Sequence, residues 1–211
     1  MDENVLKADR ILIEKVKEAL IKNGFSCEVF ETKEEAKDFL VKKIGKGKTV
    51  GFGGTMSLKE LGVIEEISKN NKIFTHKPEM SLEERRKVWI NALTSNFYIA
   101  SPQAITRDGK LIFVDGTGNR TAAINWGPEE LILIAGKNKI TKDEEEGLWR
   151  SRNISAIRNN IRLGKNNPCV KTGKCEDCSS RDRICNILTV LWKKPKIANI
   201  TVILINEELG Y

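Results

Sequence analysis

The 211-residue chain contains one histidine, His76, and that scarcity limits its chemistry at once. A centre built from several imidazoles is excluded, and at most one imidazole base or ligand is available. His76 lies in Thr75-His76-Lys77-Pro78, a context that reads as a surface loop. Long apolar runs are missing too: none approaches the roughly 20 residues that carry a helix across a bilayer. The opening Met-Asp-Glu-Asn-Val-Leu-Lys has no signal-peptide core. Internal repeats and low-complexity linkers are also absent. These gaps point to a cytoplasmic protein without membrane insertion.

Composition narrows the class further. Hydrophobic residues at 40% and charged residues at 31% fit a folded globular chain, and the length suits one α/β domain over residues 1–211 with a real core. Lys and Arg number 36 against 29 Asp and Glu, a net charge of +7. The excess is interleaved with Glu along amphipathic stretches, so nothing predicts a nucleic-acid stripe. A small anionic metabolite or an acidic partner protein suits such a surface better.

Alternation of short apolar runs with helical periodicity dominates what is present. Apolar residues from Val5 to Ile21 recur at helical spacing and Asn23-Gly24 ends them, which predicts an amphipathic helix over about 3–23. Strands are predicted at 26–31, 48–52, near Ile73, at 97–100, 110–114 and 131–135. Helices opened by the capping-box pairs Thr32/Glu35 and Ser81/Glu84 fall between them. A helix is predicted from Met56 to Asn70, residues 97–114 read as a hairpin-like excursion, and a long helix spans 142–161. Strands at 187–192 and 200–205 are expected to return to the sheet. The pattern predicts a three-layer α/β/α fold with a mostly parallel sheet. Trp89, Trp126, Trp149 and Trp192 are assigned to core or interface packing, and Cys27 to the core.

Two strand-end loops carry polar chemistry. Gly51-Phe52-Gly53-Gly54-Thr55-Met56-Ser57 leaves a predicted strand and opens a helix, the position where open α/β sheets bind ligands. Gly53 and Gly54 would let a ligand approach the backbone, and Thr55 and Ser57 could donate to an anion. The spacing matches neither the dinucleotide fingerprint nor the P-loop. Asp115-Gly116-Thr117-Gly118-Asn119-Arg120 repeats the arrangement. Arg120 is the candidate anion clamp there, Asp115 the candidate acid, base or orienting carboxylate, and Thr117, Gly118 and Asn119 complete the set. The plain alternative for each loop is a turn ending in a helix cap.

Four of the five cysteines fall close together, Cys169, Cys175, Cys178 and Cys185, in a loop over about 165–186. In a reducing compartment such a cluster argues for metal or catalysis over a disulfide framework. A four-thiolate [4Fe-4S] cluster, a zinc ion, redox-active thiols and reduced cysteines that only pack all remain open. One Cys-x-x-Cys pair with flanking cysteines matches neither the paired zinc signature nor the bacterial ferredoxin run.

The chain resembles the lactate-utilisation or LUD-domain family, in its short stand-alone branch. Gly53-Gly54-Thr55-Met56-Ser57-Leu58-Lys59-Glu60-Leu61-Gly62 carries the likeness, with Thr94 to Gly109, Val114 to Arg120, Gly136-Lys137-Asn138-Lys139-Ile140, the cysteine segment Lys171 to Cys185 and the terminal Glu208-Leu209-Gly210-Tyr211. The resemblance implies a fold similar to sugar-phosphate isomerases and CoA transferases, with the Gly53 loop in the phosphate-binding place. It implies a cytoplasmic role in or beside lactate oxidation, with an iron–sulfur or dehydrogenase protein as partner and a homo-oligomer as an option. The chain lacks the ferredoxin-type cysteine runs of the family's longer iron–sulfur member and the glutamate motif of the CoA transferases.

Overall fold

Asp2 starts the first helix by accepting the Asn4 amide at 2.7 Å. In the computed structural model, which describes residues 2–211, that helix runs as α1 (Glu3–Lys22) with Ile13, Val16 and Leu20 buried along one face. Then come β1 (Ser26–Phe30), α2 (Lys33–Ile44) behind the expected Thr32/Glu35 capping box, and β2 (Thr49–Phe52). The single helix expected from Met56 to Asn70 is two, α3 (Met56–Leu61) and α4 (Val63–Ser68), because Gly62 between them takes a left-handed conformation. β3 (Lys72–Phe74), α5 (Leu82–Leu93) with its Ser81/Glu84 capping box, and β4 (Phe97–Ala100) follow.

The excursion after β4 is a hairpin of β5 (Ala104–Thr106) and β6 (Leu111–Asp115). The chain continues through α6 (Asn119–Asn125), β7 (Glu130–Gly136), a 3-10 turn at Lys137–Lys139 and β8 (Ile140–Thr141). The helix expected over 142–161 is α7 (Glu144–Arg150) and α8 (Ala156–Arg162), joined by a π-helical turn at Ser151–Ser155. α9 (Pro168–Thr172), β9 (Ile187–Leu191) and β10 (Ile200–Ile205) complete the order.

Six strands form one parallel sheet in the order β1-β10-β7-β4-β2-β3. Its two faces are separated by residue parity. Leu131, Leu133, Ala135, Val202 and Leu204 join the core beneath α1, while Ile132, Ile134, Ile203 and Ile205 join the core shared with α2, α3 and α4. Burial on both faces explains why β7 and β10 read as unbroken apolar runs.

Only one of the two late strands enters this sheet. β10 is buried throughout and lies between β1 and β7, whereas β9 pairs with β6 at the edge of a second sheet, ordered β8-β5-β6-β9. Ile187 and Leu188 of β9 are exposed, as an edge strand covered on one side permits. Three of the four tryptophans lie outside the core, which overturns the core half of the core-or-interface expectation for them. Trp126, Trp149 and Trp192 are 69%, 57% and 64% exposed, and only Trp89 is part-buried. No helix among the described residues is long and apolar enough to cross a membrane.

Strand order places the site. From β2 the chain goes to β3 on one side and then to β4 on the other, so the winding reverses between β2 and β4. The crevice outside the carboxyl ends of those strands is the ligand position of open α/β sheets.

The β5–β6 turn is locked onto α1. Asn23 donates from Nδ2 to the carbonyls of Asp108 and Gly109 at 2.8 and 2.9 Å, and Gly109 has φ +81°. A Cβ at Gly109 would stand 2.6 Å from the Ala19 carbonyl carbon. Gly109→Ala is therefore expected to destabilise the fold by about 2 kcal/mol or more in urea unfolding, from left-handed strain together with overpacking. A loss below about 0.5 kcal/mol would contradict the packing.

Candidate functional site

Three strand ends converge where the winding reverses. Ser57 follows β2, Ser101 follows β4, and Lys139 closes the turn after β7. Lys139 is 1% exposed, and its Nζ donates to Ser101 Oγ at 2.7 Å and Ser57 Oγ at 2.9 Å. Among the described residues no carboxylate forms an ion pair with it. Burial, then the positive charges of Arg150 and Arg120, push the amine down to about 7 against the pull of Glu60. Near neutral pH the amine is thus divided between its charged and neutral forms.

The C-terminal residues close over this group. Ser57 Oγ also donates to the Leu209 carbonyl at 3.2 Å, and a Cβ at Gly210 would stand 2.5 Å from that hydroxyl. Asn138 ties the segment down, accepting the Leu209 amide and donating to the Gly210 carbonyl. A small inner pocket of about 40 Å³ remains, with Gly54, Thr55, Ser101, Arg120, Lys139 and Tyr211 in its wall. Ser151 and Ser155 of the π turn complete it, a placement typical of π-bulges at functional positions. Arg150 holds the wall together, donating to the carbonyls of Asn138 and Gln103 and to Ser155 Oγ.

Two polar atoms in this wall are buried without hydrogen-bond partners, Arg120 Nε and the Tyr211 hydroxyl. Buried donors rarely stay unsatisfied, and two beside a lysine lacking a counter-ion suit a negatively charged acceptor. Outside lies a groove of about 530 Å³ that shares Gly54, Val114, Arg120, Asn159 and Ile184 with the inner pocket. Arg85, Arg162 and Lys165 line it.

The two loops singled out in the sequence do flank one crevice. Gly54, Thr55 and Arg120 line the inner pocket, while Asp115, Thr117 and Asn119 line the outer groove. Gly53 lets Arg120 lie across the strand end, since a Cβ there would meet Arg120 Cδ at 3.2 Å and Tyr98 Oη at 3.3 Å. Thr55 caps α3 by accepting the Ser57 amide, and Gly118, at φ +93°, starts α6. Both Asp115 oxygens are engaged locally, Oδ1 by the Thr117 amide at 3.2 Å and Oδ2 by the Thr121 amide at 3.0 Å. Burial raises its pKa, but Arg120 and the amides of Thr121, Thr117 and Gly118 outweigh burial and hold the carboxyl below its ordinary value. Asp115 is thus a fixed anion that orients Arg120, whose Nε lies 3.9 Å from Oδ2 and whose other arm donates to the Val114 carbonyl.

The cysteine loop adjoins this crevice. Ile184 lines both cavities, and Asn186 donates to the Asp115 and Gly116 carbonyls at 2.8 and 3.0 Å. None of the four cysteines of the loop is in a disulfide. Burial first, then the thiols of Cys178, Cys185 and Cys175, push the Cys169 thiol up, so the four sulfurs are electrostatic neighbours. Arg183 spans them, donating to the carbonyls of Cys178 and Cys185, and Asn160 reaches Cys169 Sγ at 3.6 Å. Among the described residues no three His, Cys, Asp or Glu side chains close on one point that could hold a metal ion.

Sequence reasoning missed Lys139, Ser101 and Tyr211. Lys139 lies in the Gly136 to Ile140 segment of the family resemblance, but the sequence gives it no role distinct from Lys137 beside it, and Ser101 is marked only by its place after Tyr98-Ile99-Ala100. His76, read as a surface residue, lies at the rim of the outer groove and accepts the Trp89 Nε1 hydrogen at 3.3 Å.

Comparison with known proteins covers nearly the whole chain. A family model described as LUD domain matches residues 13–205. A solved structure, a DUF162 family protein from Deinococcus radiodurans, superposes with a TM-score of 0.53 over 94% of this chain and 98% of that one. At 12% identity this second likeness bears on the fold alone. No curated protein matches the chain.

A depressed lysine pKa has a fixed consequence for stability. Between about pH 7 and the ordinary lysine value of 10.5 the folded state binds fewer protons than the unfolded state, so stability rises with pH across that window. Below about pH 7 the buried charge is destabilising in full. Urea unfolding from about pH 6.5 to about 9.5 should show the native protein gaining stability relative to the volume-matched Lys139→Met. Parallel profiles would contradict the burial of an unpaired amine.

Proposed function

The chain belongs to the LUD-domain family, which is linked to lactate utilisation in general, and from that premise we propose that it binds a small organic acid at the Lys139 pocket as a component of organic-acid metabolism. The observation that carries the reading is a buried lysine without a carboxylate partner, beside the unpartnered donors of Arg120 and Tyr211. A carboxylate in the inner pocket would satisfy all three, while the cationic outer groove would take the remainder of the ligand, including a phosphate where one is present. Gly54 would admit the ligand to the backbone, while Gly53 makes room for the Arg120 side chain. Thr55 would line the inner pocket and Thr117 and Asn119 the outer groove, with Gly118 turning the chain between them, Ser57 holding Lys139 from behind and Asp115 positioning Arg120.

Lys139 would add proton transfer. A group near pKa 7 can donate and accept at neutral pH, and the Ser57 and Ser101 hydroxyls give it a relay. Cys169, Cys175, Cys178 and Cys185 would hold an iron–sulfur centre, supported by their gathering in one loop without disulfides. Such a centre supplies one-electron transfer when bound, and its exchange partner would be an iron–sulfur or dehydrogenase protein. Ile184 places that loop against the ligand groove, so the two functions would share one wall.

Titration calorimetry with oxalate and with inorganic phosphate tests the anion site. Arg120→Ala should weaken the tighter of the two by about 1.5–3 kcal/mol, the loss of a charge-assisted contact. Unchanged affinity would remove Arg120 from the site. Anaerobic purification followed by iron analysis and a visible spectrum tests the cysteines: iron with broad absorbance near roughly 400 nm is expected, and Cys178→Ser should lose both. Stoichiometric zinc without colour would overturn the cluster.

A further inference from the structure

Charge alone does not account for Lys139. Arg120 already supplies a guanidinium to the inner pocket, and a residue kept only as a cation would be expected to carry a carboxylate or a set of carbonyl acceptors, as Arg150 does. Lys139 instead meets two hydroxyls, and a hydroxyl can accept from an ammonium or donate to a neutral amine. Ser57 and Ser101 are themselves buried and lie 3.2 Å apart, which makes a short chain of exchangeable protons around one primary amine. That chain opens on a pocket whose other polar wall is an anion clamp.

We propose that Lys139 forms an imine with the carbonyl of a small 2-oxo acid whose carboxylate is held by Arg120. The proposal rests on the anion-binding reading and names its substrate class, since a carboxylate next to a carbonyl is the smallest group that uses both side chains. The Lys139 Nζ lone pair forms a bond to the carbonyl carbon, and the C=O π pair moves to oxygen, which takes up a proton. Both protons of the neutral amine leave Nζ through the Ser57 and Ser101 hydroxyls and end on that oxygen, the first as the proton just taken up and the second as the C–O bond breaks, so that the oxygen leaves as water while the C=N bond forms. Nothing is oxidised or reduced. A neutral amine is needed for attack, and burial together with Arg150 and Arg120 makes that form abundant near neutral pH. The inner pocket of about 40 Å³ admits only the oxo-acid end, and a longer tail would lie in the outer groove.

Reductive trapping tests this on the full chain. Incubation with pyruvate and cyanoborohydride should add, once per chain, the mass of pyruvic acid plus two hydrogens less one water, and peptide mapping should place it on Lys139. Excess oxalate should suppress the adduct, Lys139→Met should abolish it, and Arg120→Ala should slow trapping by roughly tenfold or more. The map of the native protein decides the matter even where the lysine variant fails to fold. Adducts scattered over surface lysines, or one that survives in folded Lys139→Met, would overturn the proposal. No adduct while oxalate still binds would overturn the imine and leave the anion site standing, and failure of both ligands to bind would overturn the two together.

Discussion

An amine removed from water at the carboxyl edge of a parallel sheet is the constraint around which the rest of the molecule is arranged. A lysine 1% exposed and without a carboxylate is destabilising unless other groups satisfy it, and here the acceptors come from two further strand ends. β2 leads to Ser57, β4 leads to Ser101, and β7 leads to Lys139, so the three central strands must hold register for the group to exist. Their parity-separated faces supply that rigidity, with one core beneath α1 and the other beneath α2, α3 and α4. The residues from Glu208 to Tyr211 then exclude solvent, and Gly210 is required because any side chain would collide with Ser57.

The second sheet turns this buried group into an accessible site. β8 begins immediately after Lys139, and β5 and β6 follow Ser101, so both polar residues sit at the junction of the two sheets. β6 ends at Asp115, whose engaged oxygens fix the loop that presents Arg120. β9 pairs with β6 over its whole length and thereby brings the cysteine loop against the same crevice through Ile184 and Asn186. Asn153 of the π turn accepts the Cys175 amide, a second tie between the pocket wall and the cysteines.

Local rules were legible where they act alone. Thr32/Glu35 and Ser81/Glu84 are capping boxes in the sequence and in the structure, and the alternation of elements was enough for the α/β class and its parallel sheet. The two strand-end loops were recognisable as strand-to-helix turns, and the structure brings them to one crevice while Thr55 and Gly118 also fill the helix-cap positions of the plain reading. What escaped depends on tertiary partners. The π turn at Ser151–Ser155 has no local signal in the sequence, and β9 is as apolar in sequence as β10 although only one is enclosed on both sides. Lys139 looks like any other surface lysine until Ser57 and Ser101, 82 and 38 residues away, are brought to its Nζ. Conversely Trp126, Trp149 and Trp192 suggest a core that they do not enter.

The most direct measurement is the titration of Lys139 itself, followed by the carbon chemical shift of its Cε in selectively labelled protein with and without oxalate. A midpoint near 7 in the free protein, moving upward when oxalate binds, is the expected result, since a bound anion favours the charged amine. A midpoint at the ordinary lysine value of 10.5 that ignores oxalate would contradict both the buried amine and the anion site built upon it.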